Sequence, residues 1–401
     1  MNVLVLSRNY PNPVQPQLGL WVEGLVRASR RWCQVQVVAA VPYCPPLPDF
    51  VGSFTRFRSV PILEHQDGIS VYHPRFFTAP GEFFHAALAE FYYRGVRATV
   101  DLIHAQTPFD LIHAHFTYPD GVVAARLAQR YGIPLVITEH TLWRPWMDNY
   151  PRVRAQALAA HAQSFALIAA SRSLRASIAH FTGTAAKLRA VPIGVDTAHF
   201  YAKPVPSFDP WQILYVGRIH RTKGVDVLLE AMHLLVKRGL PCRLVLVGGE
   251  SLYRGWQREE ARLRARAAEQ VTFIGPRSPA QVAQLMRESA LLVLPSRRES
   301  FGAVLVEALA CGTPVVATRC GGPEDIIAEG LGLLVPPADP TALAEGIATL
   351  LNERSHYDSR HLSSYAQARY SWEHVAQQTV ELYQEALTGG RTIGANRGPR
   401  D

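Results

Sequence analysis

The stretch Ala290-Leu-Leu-Val-Leu-Pro-Ser-Arg-Arg-Glu299-Ser-Phe-Gly-Ala-Val-Leu-Val-Glu307-Ala-Leu-Ala-Cys-Gly-Thr-Pro314-Val-Val-Ala317 decides the fold. Ala290 to Leu294 is short and wholly apolar, as a parallel strand buried on both faces must be, and Pro295 with Ser296 ends it. From Gly302 the residues read as a helix, and Pro314 to Ala317 reads as the next strand. Strand, turn, helix and strand make a βαβ unit. Two carboxylates, Glu299 and Glu307, flank the turn. For a helix starting near Ser300 they would lie about 12 Å apart along its axis and within roughly 80° around it, close enough for one nucleotide-sized, polyhydroxylated ligand to touch both. Ser300-Phe301-Gly302 would leave N–H groups free at the helix start, where anions and hydroxyl oxygens bind. A solvated pair on a surface helix is the alternative. Against it, Glu307 sits among Val304, Leu305, Val306, Ala308 and Leu309, and a carboxylate in so apolar a helix needs a partner.

Outward from this unit the same rhythm repeats. Val3–Leu6, Val35–Ala40, Leu111–His115, Leu135–Thr138 and Ala166–Ala170 alternate with amphipathic helices in the first half. After the Pro-rich linker Ala202 to Pro210 it restarts with Ile213–Val216, Leu244–Val247, Val271–Ile274, Leu291–Leu294 and Pro314–Ala317. The restart predicts an α/β chain of two doubly wound, Rossmann-like domains, 1–200 and 201–370. A final helix, about Trp372 to Ala386, carries its own apolar face of Val375, Val380, Leu382 and Tyr383, and the Gly/Arg-rich tail 389–401 is expected to be disordered.

The 401 residues, 48% of them apolar, can bury two cores. The +8 net charge comes from 41 Lys plus Arg against 33 Asp plus Glu, and only Lys187, Lys203, Lys223 and Lys237 are lysines. Arginine suits phosphate and carboxylate ligands. Nucleic acid is the weakest of the anionic partners, because no dense basic cluster or zinc-finger spacing occurs. The five cysteines, Cys33, Cys44, Cys242, Cys311 and Cys320, are scattered without a CxxC pair, which points to a reducing compartment and no structural metal. With no signal-peptide core and no window of membrane-spanning length, the expected location is cytoplasmic.

The second domain opens with Tyr215-Val-Gly217-Arg218-Ile-His-Arg221-Thr-Lys223-Gly224, a strand and then a cationic glycine turn before a helix. Arg218, Lys223 and free N–H groups would converge on one diphosphate, although the turn is no Walker loop. The alternative is a basic loop with solvated cations. Glycine turns also follow the strands ending at Val247 and Ile274, the latter as Gly275-Pro276-Arg277, so several turns would line one crevice for an extended anionic ligand. A dinucleotide is disfavoured because no Gly-x-Gly-x-x-Gly follows any strand.

In the first domain two strands end in polar groups: His113 and His115 on one strand face, then Glu139 and His140. They suggest half of an active site. A zinc site from His115, Glu139 and His140 is a minor alternative to crevice or core histidines. The loop Arg8-Asn-Tyr-Pro-Asn-Pro13 follows the first strand, and Gly19 precedes the first helix. Arg75-Phe-Phe77, Phe83-Phe84, Phe91-Tyr-Tyr93, Arg94 and Arg97 read as a core helix with Arg stems reaching outward, or as a segment resting on an anionic membrane surface.

Gly217-Arg218 with Lys223-Gly224, and Glu299-x7-Glu307 followed by Cys311-Gly-Thr-Pro-Val-Val-Ala317, together resemble the retaining GT-B glycosyltransferases that use nucleotide sugars in bacterial cell-wall and exopolysaccharide synthesis. The resemblance covers nearly the whole chain. Val191 to Phe200 resembles the family's segment between domains, and Ser371 to Tyr383 its C-terminal helix, here 371–388, which returns to the first domain. It implies two domains facing across a cleft. Arg218 and Lys223 would hold the donor diphosphate, Glu307 the ribose hydroxyls and Glu299 the transferred sugar. Gly217 belongs to the same turn, Phe301 and Gly302 would offer N–H groups to sugar hydroxyls, Val304 and Leu305 would lie near the phosphates, and Gly275, Pro276 and Arg277 would read the base. His115 would lie by the donor sugar, with Glu139 and His140 lining the cleft. Gly19 matches a glycine that lets backbone approach phosphate, although Leu20 stands where the family has a second glycine.

The implied reaction moves a hexose-type sugar to a hydroxyl of a glycan or lipid-linked acceptor, with retention. Its catalytic set would be His115, Arg218, Lys223 and Glu299. No residue stands out as nucleophile or general base, so the leaving phosphate would take the acceptor proton. The cations and a helix N-terminus would replace a metal, and no cofactor is expected beyond the nucleotide-diphosphate sugar as co-substrate. A nucleotide-sugar epimerase and an inactive sugar-nucleotide-binding subunit are the rival readings.

Overall fold

A computed structural model describes residues 1–43, 55–78, 82–141, 149–183, 185–203, 211–249 and 254–394. The chain divides into two compact units, one formed by 1–170, 174–192 and the segment from Val375 onward, the other by 171–173 and 193–374.

The strands of the first unit are β1 (Asn2–Leu6), β2 (Gln34–Val38), β3 (Val41–Pro42), β4 (Leu63–Gln66), β5 (Ile69–Tyr72), β6 (Arg75–Phe76), β7 (Leu111–His115), β8 (Leu135–Glu139), β9 (Ala166–Ala169) and β10 (Leu188–Ala190). Its main sheet has the order β10-β9-β8-β7-β1-β2-β5-β4. It is parallel except where β4 runs antiparallel to β5. The second unit holds β11 (Trp211–Val216), β12 (Cys242–Val247), β13 (Val271–Gly275), β14 (Leu291–Leu294), β15 (Val315–Thr318) and β16 (Gly332–Val335), ordered β13-β12-β11-β14-β15-β16 and parallel throughout. Numbered from its own first strand, that order is 3-2-1-4-5-6, the doubly wound arrangement of a mononucleotide-binding sheet. In both units the strand order reverses beside the first strand, between β1 and β7 and between β11 and β14.

The opening stretch behaves as its composition demands. Leu291, Leu292 and Val293 have no exposed surface and Leu294 is 3% exposed, because helices cover both faces of a central parallel strand. The helix after it is α9 in chain order, following α1 (Leu20–Ser29), α2 (Leu88–Gln106), α3 (Val122–Tyr131), α4 (Pro151–Gln163), α5 (Arg172–Thr182), α6 (Val225–Lys237), α7 (Arg254–Arg264) and α8 (Pro279–Arg287). α9 spans Ala303–Ala310, as the reading from Gly302 onward expects, and does not reach back to Ser300, because Gly302 takes a left-handed conformation, φ 98°, at its N-cap. Glu299 therefore lies on the preceding loop, off the helix, and the helical spacing of the two acids does not apply. Beyond α9 come α10 (Pro323–Ile326), α11 (Pro340–Asn352), α12 (Ser359–Tyr370) and α13 (Trp372–Gly394).

Four differences from the sequence reading have clear causes. The hairpin β4–β5 went unrecognised because Leu63-Glu-His-Gln66 is a polar edge strand, although its turn carries Asp67-Gly68 with φ of 49° and 74°, a strong hairpin signal. The short pair β3–β6 escaped notice for lack of length. The edge strands β10 and β16 are brief: Arg189 interrupts β10, and β16, although apolar as Gly332-Leu-Leu-Val335, is four residues long and only partly buried. The last helix runs on through Gly394, so the part of the expected disordered tail from 389 to 394 is helical, while 395–401 lie outside the described residues. Also outside them are Cys44, the linker residues 204–210 and the side chains of Phe83 and Phe84.

The core reading of α2 fits its faces. Tyr92, Val96, Val100 and Ile103 are buried while Arg94 and Arg97 are exposed. Gly95 lets the helix press onto β6, since a Cβ there would lie 2.6 Å from both the Arg75 carbonyl oxygen and Phe76 Cβ. Among the described residues no helix is long and apolar enough to cross a membrane.

Candidate functional site

In the second unit, the turn after β11 and the loop after β14 meet at the point where strand order reverses. Gly224 begins α6 in the left-handed conformation, φ 70°, and a Cβ there would lie only 1.8 Å from the Pro295 carbonyl oxygen. Glycine is the one residue that fits. This close approach brings Lys223 to Glu299, with Nζ donating to Oε2 at 2.6 Å, and Ser296 Oγ donates to the same oxygen at 3.1 Å. The two side chains are 19% and 12% exposed, so both charges are sheltered yet reachable.

A second ion pair ties the same two loops from behind. Arg297 makes a bidentate pair with Asp226 at 2.7 and 2.9 Å, Arg221 Nε reaches Asp226 at 3.3 Å, and the Arg297 N–H donates to the Thr222 carbonyl. Burial pushes the Asp226 carboxyl up, but the two arginines outweigh it and hold the group below its ordinary value. Arg218 is exposed beside this turn, and the buried Tyr215 hydroxyl donates to its carbonyl at 2.7 Å.

The glycines at neighbouring strand ends stack edge to edge. Gly217 N–H donates to Val247 and Gly248 N–H to Gly275, and a Cβ on Gly248 would lie 1.9 Å from the Gly217 carbonyl oxygen. Gly275, φ 73°, leads into Pro276 and Arg277, whose Nη1 donates to the Pro276 carbonyl at 2.8 Å. Across the reversal point Phe301 and Leu305 are buried, at 2% and 0% exposure, so they can offer only backbone to a ligand, whereas Val304 is half-buried. Glu307 is half-buried, and no protein hydrogen bond or ion pair reaches its carboxylate among the described residues. Burial pushes that carboxyl up to about 7.

The loop Cys320-Gly321-Gly322 after β15 belongs to this place and was missed from sequence. The Glu299 backbone forms a bridge with Gly321 and its carbonyl accepts from the Gly322 N–H at 2.9 Å, while the Glu324 carboxylate accepts from the Cys320 and Gly321 N–H groups. Its only signal was one more glycine pair after a strand.

In the first unit, the ends of β7 and β8 hold three imidazoles in a row. His113 hydrogen-bonds Tyr383 at 2.6 Å and Thr138 at 2.7 Å. His115 and His140 bond through Nδ1 and Nε2 at 2.9 Å with rings stacked at 5.2 Å. His115 is 1% exposed and its Nε2 has no protein partner among the described residues. Burial pushes His113 and His140 down to about 3 and His115 well below its ordinary value, so all three are neutral at physiological pH.

The Glu139 carboxylate is engaged by backbone and a hydroxyl. It accepts from the N–H groups of Thr117, His140 and Thr141 and from the Thr141 hydroxyl, all within 3.0 Å, so it works as a loop anchor rather than as a third ligand beside two histidines. Among the described residues no group of three or more His, Cys, Asp or Glu is placed to hold a metal ion. Gly19, φ 72°, caps α1 with its Cβ position 2.0 Å from the Asn9 carbonyl oxygen. Arg8, named from sequence only as the start of the loop after β1, pairs at the same sheet edge with Asp120, which the sequence reading passed over.

A profile of the glycosyl transferases group 1 matches residues 201–369, and one of glycosyltransferase family 4 matches residues 18–199. The D-inositol 3-phosphate glycosyltransferase of Corynebacterium urealyticum is 33% identical over 324 residues, 73% of this chain and 75% of that protein. The chain belongs to the GT-B glycosyltransferases. A D-inositol 3-phosphate glycosyltransferase of Catenulispora acidiphila is 32% identical over 376 residues, 85% of this glycosyltransferase and 87% of the relative. Among solved structures, sucrose-phosphate synthase from Thermosynechococcus elongatus shares the fold of the glycosyltransferase with a TM-score of 0.78 at 24% identity, covering 97% of this chain and 100% of that one. Anabaena HepE, solved in complex with UDP-glucose, does so with a TM-score of 0.72 at 22% identity, covering 96% and 100%.

Proposed function

We propose that this glycosyltransferase moves a hexose-type sugar, with retention, from a nucleotide-diphosphate donor to an acceptor hydroxyl in polysaccharide biosynthesis. The observation that carries the reading is the Lys223–Glu299 pair at the reversal point of the second sheet, with Glu307 on the helix that follows, α9, lacking any protein partner among the described residues. Lys223 and Arg218 would stabilise the departing diphosphate, Glu299 would hold the sugar hydroxyls and Glu307 the ribose. The bond from the anomeric carbon to the diphosphate oxygen breaks as the bond to the acceptor oxygen forms. The acceptor proton passes to the leaving phosphate oxygen on the same face, so no protein base and no metal is required. A double displacement would need a carboxylate on the far side of the sugar, and neither Glu299 nor Glu307 is assigned that task. His115, neutral and with Nε2 unpartnered among the described residues, would hydrogen-bond the donor sugar.

The acceptor is a glycan or a lipid-linked glycan, and the exposed Phe77, packed edge-on against Phe91 at 5.2 Å beside the cationic face of α2, supports a peripheral membrane contact. A second reading, a phosphorylated cyclitol acceptor, is favoured by the relatives named as D-inositol 3-phosphate glycosyltransferases. The free thiols of Cys33, Cys242, Cys311 and Cys320 support work in the cytoplasm.

The test is incubation of the purified protein with a panel of nucleotide sugars, with and without glycan, lipid-linked and inositol phosphate acceptors, while nucleoside diphosphate release is followed. Release that depends on one acceptor class supports transfer and names the class. An altered sugar without release would establish epimerisation instead, and binding alone a non-catalytic subunit.

A further inference from the structure

Donor chemistry as proposed uses the cations of the second unit and leaves Arg8 of the first without a task. Arg8 stands in the loop after β1, and Asp120 in the turn after β7, the two strands between which the first sheet reverses its order. Ligands of open parallel sheets bind outside the carboxyl ends of the strands at such a reversal. The Asp120 side chain is 2% exposed and spends its oxygens on three donors: the Arg8 N–H at 2.7 Å, Arg8 Nε at 3.3 Å and the Tyr92 hydroxyl at 3.1 Å. The guanidinium carbon lies 6.0 Å from the Phe76 ring and 5.8 Å from the Tyr92 ring, so the group is fixed on an aromatic bed.

Its side chain is nevertheless 31% exposed, and among the described residues no protein group takes its two terminal nitrogens. Of the five N–H donors of a guanidinium, one is used and four remain, in the planar fork that suits an oxyanion. A buried carboxylate whose whole purpose was stability would be replaced at little loss by apolar packing. Its work here is to hold an arginine with its face toward solvent.

We propose that Arg8 is the acceptor-recognising cation of the first unit, its terminal nitrogens taking an acidic group of the acceptor, a phosphate ester or a carboxylate. The assignment to the acceptor rests on the reading above, in which the donor diphosphate is met by Arg218 and Lys223.

The experiment measures binding of D-inositol 3-phosphate against myo-inositol, of glucuronate against glucose, and of UDP, ADP and GDP, to the full-length protein and its variants by calorimetry, with melting curves for each. The intact protein is expected to prefer one acidic probe over its neutral counterpart by about 10- to 100-fold, the ratio expected of charge-assisted hydrogen bonds. Whichever acidic probe shows the preference tells phosphate from carboxylate. Arg8→Gln should bring that ratio near one and leave nucleotide binding unchanged, and the double variant Arg8→Gln with Asp120→Asn, which leaves no buried charge unpaired, should do the same. Asp120→Asn alone, which loosens the hold on Arg8 but leaves its charge in place, should weaken the preference without abolishing it. The proposal is overturned if the intact protein prefers neither acid, or if Arg8→Gln keeps the preference. An Arg8-dependent acid preference in a protein that binds none of the nucleotides would uphold this assignment and overturn the donor reading.

Discussion

Lys223 and Arg8 occupy equivalent places in their two sheets. Each follows the first strand of its unit, and each pairs with an acid that follows the strand across the reversal point, Glu299 after β14 and Asp120 after β7. The difference lies in which partner faces solvent. At the second reversal point both side chains are partly open, 19% for Lys223 and 12% for Glu299, so a ligand can meet a cation and a carboxylate together. At the first, Asp120 is sealed at 2% and only Arg8 is open. One arrangement suits a ligand with both phosphate and hydroxyls, the other an acidic group alone.

The glycines repeat the parallel. Gly19 and Gly224 both start a helix at φ near 70°, each against a backbone carbonyl, but Gly19 presses on its own loop at Asn9 whereas Gly224 presses on Pro295 across the reversal point. A turn folded on itself shapes one wall. A turn folded on its neighbour joins two.

The strongest way to break the comparison is Lys223→Ala. It should lower turnover about 100- to 1000-fold, as loss of a group that stabilises transition-state charge does, with melting nearly unchanged, and steady-state nucleoside diphosphate release would measure it. Unchanged turnover would remove the second crevice from the chemistry. Next, Gly224→Ala should cost about 2–4 kcal/mol through the positive φ and the clash with Pro295, against about 1 kcal/mol for Gly132→Ala, where φ is 69° but nothing lies within 4 Å of the added Cβ. Chemical denaturation of both variants separates steric from dihedral cost.

Glu307→Gln should weaken nucleoside diphosphate binding about tenfold by calorimetry, since hydroxyl donors lose a charged acceptor. The smallest effect sharpens the contrast between the units by pH. Between the ordinary glutamate value of 4.5 and about 7, folded Glu307 holds a proton that the unfolded chain has released, so its contribution to stability falls as pH rises through that window. His113 and His140, pushed from 6.5 down to about 3, do the reverse: the unfolded chain binds protons that the folded imidazoles refuse, and stability falls as pH drops below about 6.5. Melting temperatures from pH 5 to 8 should therefore rise more steeply with pH in Glu307→Gln than in the parent protein, and an identical slope would refute the Glu307 assignment.

Much of this was legible because it is local. The run Ala290 to Leu294 declares a buried strand by composition, and the glycine turns after β11, β12 and β14 declare themselves by position. Elements that the sequence hid are those whose burial is partial, such as the edge strands β4 and β10, where few side chains are fully covered and no apolar run forms. The helical spacing of Glu299 and Glu307 was reckoned from a start near Ser300 because a glycine N-cap leaves no mark different from a glycine within the first turn.

What the amino-acid sequence determined by itself was the alternation of strands and helices, the restart that makes two units, and the candidate charges at strand ends, all of which follow from periodicity and short-range turn chemistry. What only the tertiary structure decided was who meets whom. Lys223 finds Glu299 from 76 positions away and Arg8 finds Asp120 from 112. Those meetings are fixed by parallel pairing, β11 beside β14 and β1 beside β7, which sets loops from distant parts of the chain side by side at one sheet edge. Strand composition says that a segment is buried in a sheet but carries no record of which strand will be its neighbour.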